Sequence, residues 1–439
     1  MSSATTSVTD VIDWRPIGAL QWSVFLLCGL AVFVDGFDTQ AIGYVAPVLS
    51  KELKLPPGGL GPVFAAGLAG LALGAFFLAP LADRIGRRPV IVWSVLAFGL
   101  LTLVTGFCND FFTLLLVRLA AGLGLGAAMP NAITLTAEYS PQRRRGTSVA
   151  LLMCGFGLGS ASGGAVAARL LESFSWRWVF FVGGAVTLLL VPMLIVFLAE
   201  SVRFLSFLPD EAARLSRLMT RIDPAISATR FAATKEATKR LQVCELFAHG
   251  QAGVTILLWV IFFMNLLDLY LLANWLPTAI HDAGLSVGVA ALCTAMLQIG
   301  GIIASFALGP LVDRFGPTLV LPVIYVFGAV SIALIGFAGT SVAFTVAAVF
   351  GAGFALVGSQ NCNNGVAAKV YPTEVRATAV GWANAVGRIG SIVGPTIGGI
   401  MLGLHADIRR VFIASAVPAL IAALAYLAMR RGRGAQLAN

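Results

Sequence analysis

Five ionisable side chains lie deep inside stretches of the sequence that are otherwise apolar. They are Asp35, Asp38, Arg118, Asp268 and Arg388. A charged group at the centre of a bilayer costs about 3 kcal/mol on insertion scales, and such groups generally serve proton transfer, ion pairing or ligand binding. These five residues are therefore the first candidates for chemistry in this chain.

Asp35 and Asp38 are three residues apart, which places both carboxylates on nearly one face of a helix. Acids at that depth suit proton carriers. Arg118 lies at a similar depth, so it could form an ion pair that loosens when an Asp takes up a proton. The alternatives are structural: one Asp caps a break near Gly36, or Arg118 permanently clamps two helices together.

Arg388 is about eleven residues into its apolar stretch, between Gly387 and Gly390. An Arg so deep must face a cavity or a partner, and a guanidinium can hold two carboxylate oxygens at once. An ion pair with Asp268 is the structural alternative. Asp268 could instead be a second protonation site.

The composition defines the elements that must position these groups. The chain has 439 residues, of which 58% are hydrophobic and 11% charged, with a mean hydropathy of +0.91. Soluble proteins carry roughly 25% charged residues, so a water-soluble enzyme is excluded. Apolar stretches long enough to span a bilayer, about 20 residues each, occur twelve times. The sequence predicts an all-α membrane protein of twelve transmembrane helices.

The charge distribution predicts the orientation of these helices. With both termini in the cytoplasm, 21 of the 29 Lys and Arg residues fall on cytoplasmic segments, as the positive-inside rule requires. The net charge of +9 is thereby explained without nucleic-acid binding. The expected segments are a tail (1–17), a six-helix bundle (18–199), a cytoplasmic linker (200–250), a second six-helix bundle (251–430) and a tail (431–439).

The two halves of the chain repeat. Asp83-Arg84-Ile85-Gly86 recurs as Asp313-Arg314-Phe315-Gly316 at an offset of 230 residues, and Gly159-Ser160 recurs as Gly390-Ser391 at 231. Six helices return the chain to the same side, so the two bundles are parallel in the membrane. A substrate path between similar halves follows from this arrangement.

The segment from Leu81 to Arg88 between helices 2 and 3, with its weaker copy from Gly309 to Gly316, resembles the loop signature of the major facilitator superfamily. Four further segments resemble the aromatic acid:proton symporter family within it. They are Asp35–Asp38, Gly122–Asn131, Asn274–Pro277 and Tyr371–Arg388. That family imports benzoate, hydroxybenzoates and similar ring carboxylates with protons. Arg388 is the favoured ligand for such a carboxylate, because its guanidinium can hold two oxygens at once.

Polar and aromatic residues at mid-depth could complete a binding pocket. The candidates are Asn131, Gln298, Gln360, Asn361, Asn384, Trp382 and Tyr270. Hydrogen bonding between helices is the structural alternative for the amides. Trp275 is a weaker candidate for stacking on a ring, because Trp near a helix end is often an interface anchor.

A second set of charges is predicted to close the cytoplasmic side when the carrier faces outward. The proposed pairs are Asp83 with Arg145 and Asp313 with Arg376, and the residues that extend the network are Arg84, Arg87, Arg88, Glu138 and Arg314. The alternative is that these basic residues only set the membrane orientation.

The sequence as a whole predicts a proton-coupled importer of an aromatic carboxylate that works by alternating access. It would be a monomeric, multi-pass protein of a bacterial-type plasma membrane. Protons would be the coupling ion, and no other cofactor is expected. Cys and His spacing provides no metal site, no ATP motif is present, and no catalytic set indicates an enzyme. A proton-antiport exporter and a non-transporting aromatic-acid sensor are the alternatives.

Overall fold

The protein is described by a computed structural model covering residues 6–223, 231–232, 246–247, 251–371, 373–404 and 407–432. Pro372, much of the linker between 224 and 250, and the tail after 432 lie outside the described residues. Among the described residues, twelve helices are long and apolar enough to cross a membrane. The prediction of an all-α membrane protein with two parallel six-helix bundles is confirmed.

The first bundle contains helices 1 to 6. These span Ala19–Glu52, Gly61–Ile85, Arg87–Thr105, Phe111–Tyr139, Arg145–Ser173 and Arg177–Phe197. The second bundle contains helices 7 to 12, which span Ala252–Asp282, Val287–Phe315, Pro317–Ile335, Val342–Val370, Thr373–Gly403 and Ile408–Gly432, the last with a break at Ala416. Because each bundle has six helices, the linker joins them on one side of the membrane, hereafter the linker side.

The packing repeats along with the sequence. Helix 1 packs along helix 5 and helix 2 along helix 4, while helix 7 packs along helix 11 and helix 8 along helix 10. Glycine makes these approaches possible: a methyl group added at Gly122 would lie 2.2 Å from the Gly67 carbonyl oxygen, and one at Gly394 would lie 2.2 Å from that of Leu267. Small residues let helix backbones approach closely in membranes.

The two bundles meet on the side opposite the linker. The backbone of helix 1 at Gly43 reaches that of helix 7 at Ala273, and the loop at Gly58 reaches helix 11 at Gly399. At the ends of helices 1 and 7, Lys51 Nζ lies 3.0 Å from His281 Nε2. This side of the molecule is closed.

On the linker side, glycines of both bundles face open space. A methyl group added at Gly146, Gly309, Gly365 or Gly381 would meet no described atom within 4 Å, and these positions lie in the linker-side parts of helices 5, 8, 10 and 11. We infer from these positions that a cleft between the bundles opens toward the linker.

The closed side depends on one backbone conformation. Gly58 has φ +77°, and a Cβ there would lie 1.9 Å from the Gly399 carbonyl oxygen. We expect Gly58→Ala to separate the bundles on this side and to shift most molecules toward a state closed at the linker side. Distance measurements between spin labels at Asn109 and Thr340, which lie in opposite bundles, should report a longer separation.

Gly339→Ala is the matched control, because Gly339 also has positive φ (+54°) but a Cβ there meets no described atom within 4 Å. It should leave the distance distribution unchanged. Equal distances in the wild type and in Gly58→Ala would contradict this account of the closed side.

The linker contributes short helices at Val202–Ser206 and Ala212–Ile222. The second is amphipathic, with Leu215 and Met219 buried and Arg217 and Arg221 exposed. Arg15, near the start of the chain, forms two hydrogen bonds of 2.9 and 2.8 Å with the Asp223 carboxylate. Two-residue strands at Thr6–Ser7 and Phe231–Ala232 pair in parallel. These contacts fasten the N-terminal segment to the linker.

Candidate binding and proton site

Asp38 of helix 1 is held inside the first bundle by residues of helices 3 and 4. Arg118 Nη1 on helix 4 lies 3.2 Å from both carboxylate oxygens of Asp38, and its Nη2 donates to the Asp38 carbonyl at 3.3 Å. Thr102 on helix 3 donates to Asp38 Oδ1 at 2.6 Å. Asp38 and Arg118 are 2% and 5% exposed. The predicted proximity of Asp38 and Arg118 is thus present as a buried ion pair.

Asp35 lies one helical turn nearer the linker side and has different partners. Its Oδ1 accepts a hydrogen bond from Thr39 at 3.1 Å. Its Oδ2 is buried without a hydrogen-bond partner among the described residues. Arg388 of the other bundle interacts with it electrostatically. Asp35 and Arg388 form no ion pair within 4.0 Å, so Asp35 is an acid of helix 1 that Arg388 of the second bundle influences from a greater distance.

Arg388 projects from helix 11 beside the boundary between the bundles. Its Nη1 donates to the Tyr270 hydroxyl of helix 7 at 3.4 Å. Its side chain is partly exposed. The guanidinium donates one long hydrogen bond to Tyr270. Its other N–H groups can therefore donate to both oxygens of a bound carboxylate.

Asp268 lies elsewhere. It is fully buried, its carboxylate faces the Ala419 backbone of helix 12, and it acts electrostatically on Tyr325 of helix 9. Neither carboxylate oxygen makes a hydrogen bond of normal geometry to a described residue. The structure does not bring Asp268 and Arg388 together in an ion pair, since Arg388 donates to Tyr270 instead.

The repeat explains why Asp38 and Asp268 differ. Asp268 occupies the position of Asp38 in the second half, and the offset of 231 places Val349 where Arg118 stands. Val349 is fully buried. The second bundle has therefore kept the acid and lost its cation.

Amides of the second bundle form pairs between helices. Asn265 Nδ2 donates to Gln360 Oε1 at 2.7 Å, and Asn384 Nδ2 donates to Asn364 Oδ1 at 3.0 Å. Asn384 lies about one turn below Arg388 on the same side of helix 11, about 6 Å away along the axis. Gln360, Asn364 and Asn384 are partly exposed, so their amides are available to a ligand held by Arg388.

The other predicted pocket residues are placed less centrally. Asn131 donates to the carbonyls of Ala127 and Ala79, within helix 4 and toward helix 2. Asn361 donates to Ser305 of helix 8, and Gln298 is buried on helix 8. The amides of Asn131 and Asn361 therefore serve contacts between helices of their own bundles.

The predicted aromatic residues divide between the two ends of the site. Trp382 is 42% exposed and stacks on Trp259, with ring centroids 6.1 Å apart, toward the linker side. Trp275 belongs to the closed side: its Nε1 donates to the Pro395 carbonyl at 2.8 Å, and its ring meets Phe64 edge-on at 5.1 Å.

Comparison with known proteins identifies this arrangement. Residues 28–243 and 258–438 match the description Major Facilitator Superfamily. The chain belongs to the Major Facilitator Superfamily. The sequence is 39% identical over 432 residues to the gallate transporter of Pseudomonas putida, covering 98% of this chain and 96% of that protein. It is 38% identical over 419 residues to the 4-hydroxybenzoate transporter PcaK of the same organism, covering 94% of each.

Solved structures agree with the superfamily fold. An inward-facing, occupied structure of a bacterial homologue of the human lysosomal transporter Spinster has a TM-score of 0.73 at 19% identity, covering 94% of this chain and 97% of that one. The predicted resemblance is confirmed, and this superfamily member is a multi-pass membrane transporter and not an enzyme.

The superfamily loop signature builds a charged network on the linker side. Arg87 Nη2 lies 3.1 Å from Glu138 Oε1 and 4.0 Å from Asp83. Glu200 accepts hydrogen bonds from the backbone N–H groups of Arg87 at 2.8 Å and Arg88 at 3.1 Å. Glu200 thereby satisfies the start of helix 3, where N–H groups lack helical partners.

The remaining gating candidates are on the same side. Arg145 donates to the Ala137 carbonyl at 3.1 Å, Arg88 donates to the Ile195 carbonyl, and Arg314 lies over the Phe315 ring at 5.2 Å. Arg84 and Arg376 are exposed. With the linker side open, the proposed closing pair Asp83 and Arg145 is not engaged.

Sequence reasoning missed Thr39, Thr102, Asn265 and Asn364. Threonine is common in membrane helices and carried no distinguishing signal. Asn364 was visible as part of a polar run at the end of helix 10, and Asn265 as the repeat counterpart of Asp35, but neither pattern indicated a partner.

Arg118→Lys tests the ion pair of helices 1 and 4. Lysine keeps the charge but lacks the planar fork that reaches both the Asp38 carboxylate and the Asp38 carbonyl. We expect uptake in proteoliposomes to fall about tenfold, which corresponds to the loss of one charged hydrogen bond of about 1.5 kcal/mol. Arg169→Lys, at an exposed site on helix 5, is the control. Normal transport by Arg118→Lys would show that the forked pairing is unnecessary.

Proposed function

We propose that the protein imports an aromatic carboxylate of the benzoate and hydroxybenzoate class together with at least one proton, by alternating access. The similarity to carriers of gallate and 4-hydroxybenzoate supports the substrate class. The carrier would act as a monomer in a bacterial-type inner membrane, with protons as the only coupling species. Both termini and the linker would be cytoplasmic, so the cleft of this structure would face inward.

The observation that carries the proposal is the position of Arg388. It donates a hydrogen bond to Tyr270 in its own bundle and acts electrostatically on Asp35 across the boundary without forming an ion pair within 4.0 Å. A substrate carboxylate would compete with Asp35 for the same guanidinium. Protonation of Asp35 removes the competing charge, which makes proton binding and substrate binding favour one another.

The cycle follows from this competition. Facing outward, the carrier takes up a proton at Asp35, and the released Arg388 binds the substrate carboxylate. Facing inward, the carboxylate leaves, Asp35 gives up its proton, and the two residues interact again. The Asp38–Arg118 pair would link protonation to the position of helix 1 against helix 4. Asp268 has a secondary place in this proposal, because it is directed to helix 12 and not to the cleft.

Coupling to a proton is energetically reasonable for an anion. Moving one negative charge inward against 100 mV, inside negative, costs about 2.3 kcal/mol. One proton for each monoanion cancels that cost, and a second would make the membrane potential drive uptake.

The ring and its substituents would meet the amides below Arg388. One helical turn separates Arg388 from Asn384, which is similar to the span of a ring between a carboxylate and a hydroxyl opposite it. Gln360 and Asn364 would share this role, and Trp382 would lie on the exit path. When the carrier faces outward, Asp83 with Arg145 and Asp313 with Arg376 would close the cytoplasmic side.

The test is uptake of a panel of benzoate derivatives into proteoliposomes, with and without an inward proton gradient. We expect accumulation only with the gradient and competition among ring carboxylates. Gradient-driven efflux would instead identify an exporter, and saturable binding without uptake would identify a sensor. Either result would overturn the proposal.

A further inference from the structure

A cavity of about 460 Å³ lies outside the cleft, on the linker side of the first bundle. Its walls are the turn after helix 2, the adjoining ends of helices 3 and 6, and the two linker helices. Arg84, Arg88 and Arg214 contribute to its polar part, while Val92, Ile195 and Leu208 contribute to its apolar part. The cavity is therefore amphipathic.

The polar part of the cavity favours an anion. Arg84 forms no hydrogen bond or ion pair with the described residues, and Arg214 lies 3.8 Å from Glu211. Glu200, the other acid at the cavity, is already engaged by the backbone N–H groups of Arg87, Arg88 and Ser201. Three arginines thus face two acids, and one of those acids uses its Oε1 to accept all three backbone hydrogen bonds.

The apolar part of the cavity continues into a lipid-facing surface. Ile195 is 50% exposed, and the next two residues of helix 6, Val196 and Phe197, are 67% and 60% exposed. Helix 6 ends at Phe197 and the polar linker follows, which places the cavity at the level where hydrocarbon gives way to headgroups.

We propose that this cavity binds the headgroup of an anionic phospholipid from the linker-side leaflet. The phosphate would accept hydrogen bonds from the arginine forks, which match phosphate geometry, and the acyl chains would lie along Val92 and Ile195. Basic pockets between helices at a membrane surface suit anionic headgroups. A soluble anion would gain nothing from the apolar wall. The lipid would bridge the Ala212–Ile222 helix of the linker to the turn after helix 2.

Arg214→Gln tests the site, since Arg214 is outside the transport and gating sets. Arg217→Gln is the matched control, because Arg217 lies on the same helix, is exposed and does not line the cavity. The readout is native mass spectrometry of the full-length protein mixed with phosphatidylglycerol or phosphatidylethanolamine. Melting temperatures of both variants in lipid-free detergent show whether each remains folded.

We expect wild type and Arg217→Gln to retain phosphatidylglycerol in preference to phosphatidylethanolamine, and Arg214→Gln to retain about fivefold less phosphatidylglycerol, the effect of one arginine near a membrane surface. Inorganic phosphate should not displace the lipid. Displacement by phosphate would identify a soluble-anion site. Equal retention by both variants, or no preference between the two lipids, would overturn the proposal.

Discussion

Asp35→Asn is expected to abolish proton-driven accumulation while preserving exchange of substrate across the membrane. Asparagine resembles a protonated aspartate in shape but cannot release a proton. Arg388 would lose its competitor across the bundle boundary and remain available to the substrate carboxylate. Proteoliposomes with an inward proton gradient should show at least about a tenfold fall in accumulation, since general acid–base groups contribute tenfold effects or more.

Asp38→Asn separates this role from the ion pair, because Asp38 contacts Arg118 and Thr102 in its own bundle. This variant should lose accumulation and should also exchange substrate more slowly than Asp35→Asn, since Arg118 is left buried without its charge partner. Counterflow of labelled substrate without a gradient measures exchange. Unchanged gradient-driven accumulation in both variants would remove helix 1 from the proton pathway.

Arg388→Ala is expected to reduce uptake by about 100-fold, equivalent to about 3 kcal/mol for truncating one partner of a buried charge pair. The substitution removes the group proposed to hold the carboxylate, and the remaining Tyr270 hydroxyl cannot replace its charge. Substrate affinity should fall together with the rate. Isothermal titration in detergent and uptake in proteoliposomes measure the two effects.

Two further variants make the Arg388 result specific. Tyr270→Phe removes only the 3.4 Å hydrogen bond and should cost less than tenfold. Arg410→Ala removes an exposed arginine of helix 12 and should leave uptake unchanged. Wild-type affinity in Arg388→Ala would place the carboxylate at another residue.

Much of the fold could be predicted from the sequence because membrane helices depend on length and composition. The apolar stretches, the basic residues and the repeat define twelve helices in two bundles. The exact helix ends are less predictable, since helix 1 continues to Glu52 with Pro47 inside it. Proline is tolerated there because neighbouring helices satisfy the freed backbone groups.

The site could be predicted in its residues but not in its partners. In a membrane helix both lipid-facing and protein-facing positions are apolar, so hydropathy gives little information on rotation. Asp35 and Asp38 were expected to share one face, yet a separation of three residues leaves them about 60° apart around the axis. That angle is enough to give Asp38 a contact with Arg118 while Asp35 hydrogen-bonds with Thr39 of its own helix. Likewise, Asp268 is directed to helix 12.

The closed side of the molecule has a consequence for how fast the carrier can work. Its tightest contacts, Gly43 with Ala273 and Gly58 with Gly399, join backbone to backbone. Glycine has no side chain to immobilise, so forming these contacts costs no side-chain conformational entropy. In the proposed cycle they break and re-form at every turnover. An interface built from such backbone contacts can pack the two bundles closely and still allow them to separate at every turnover.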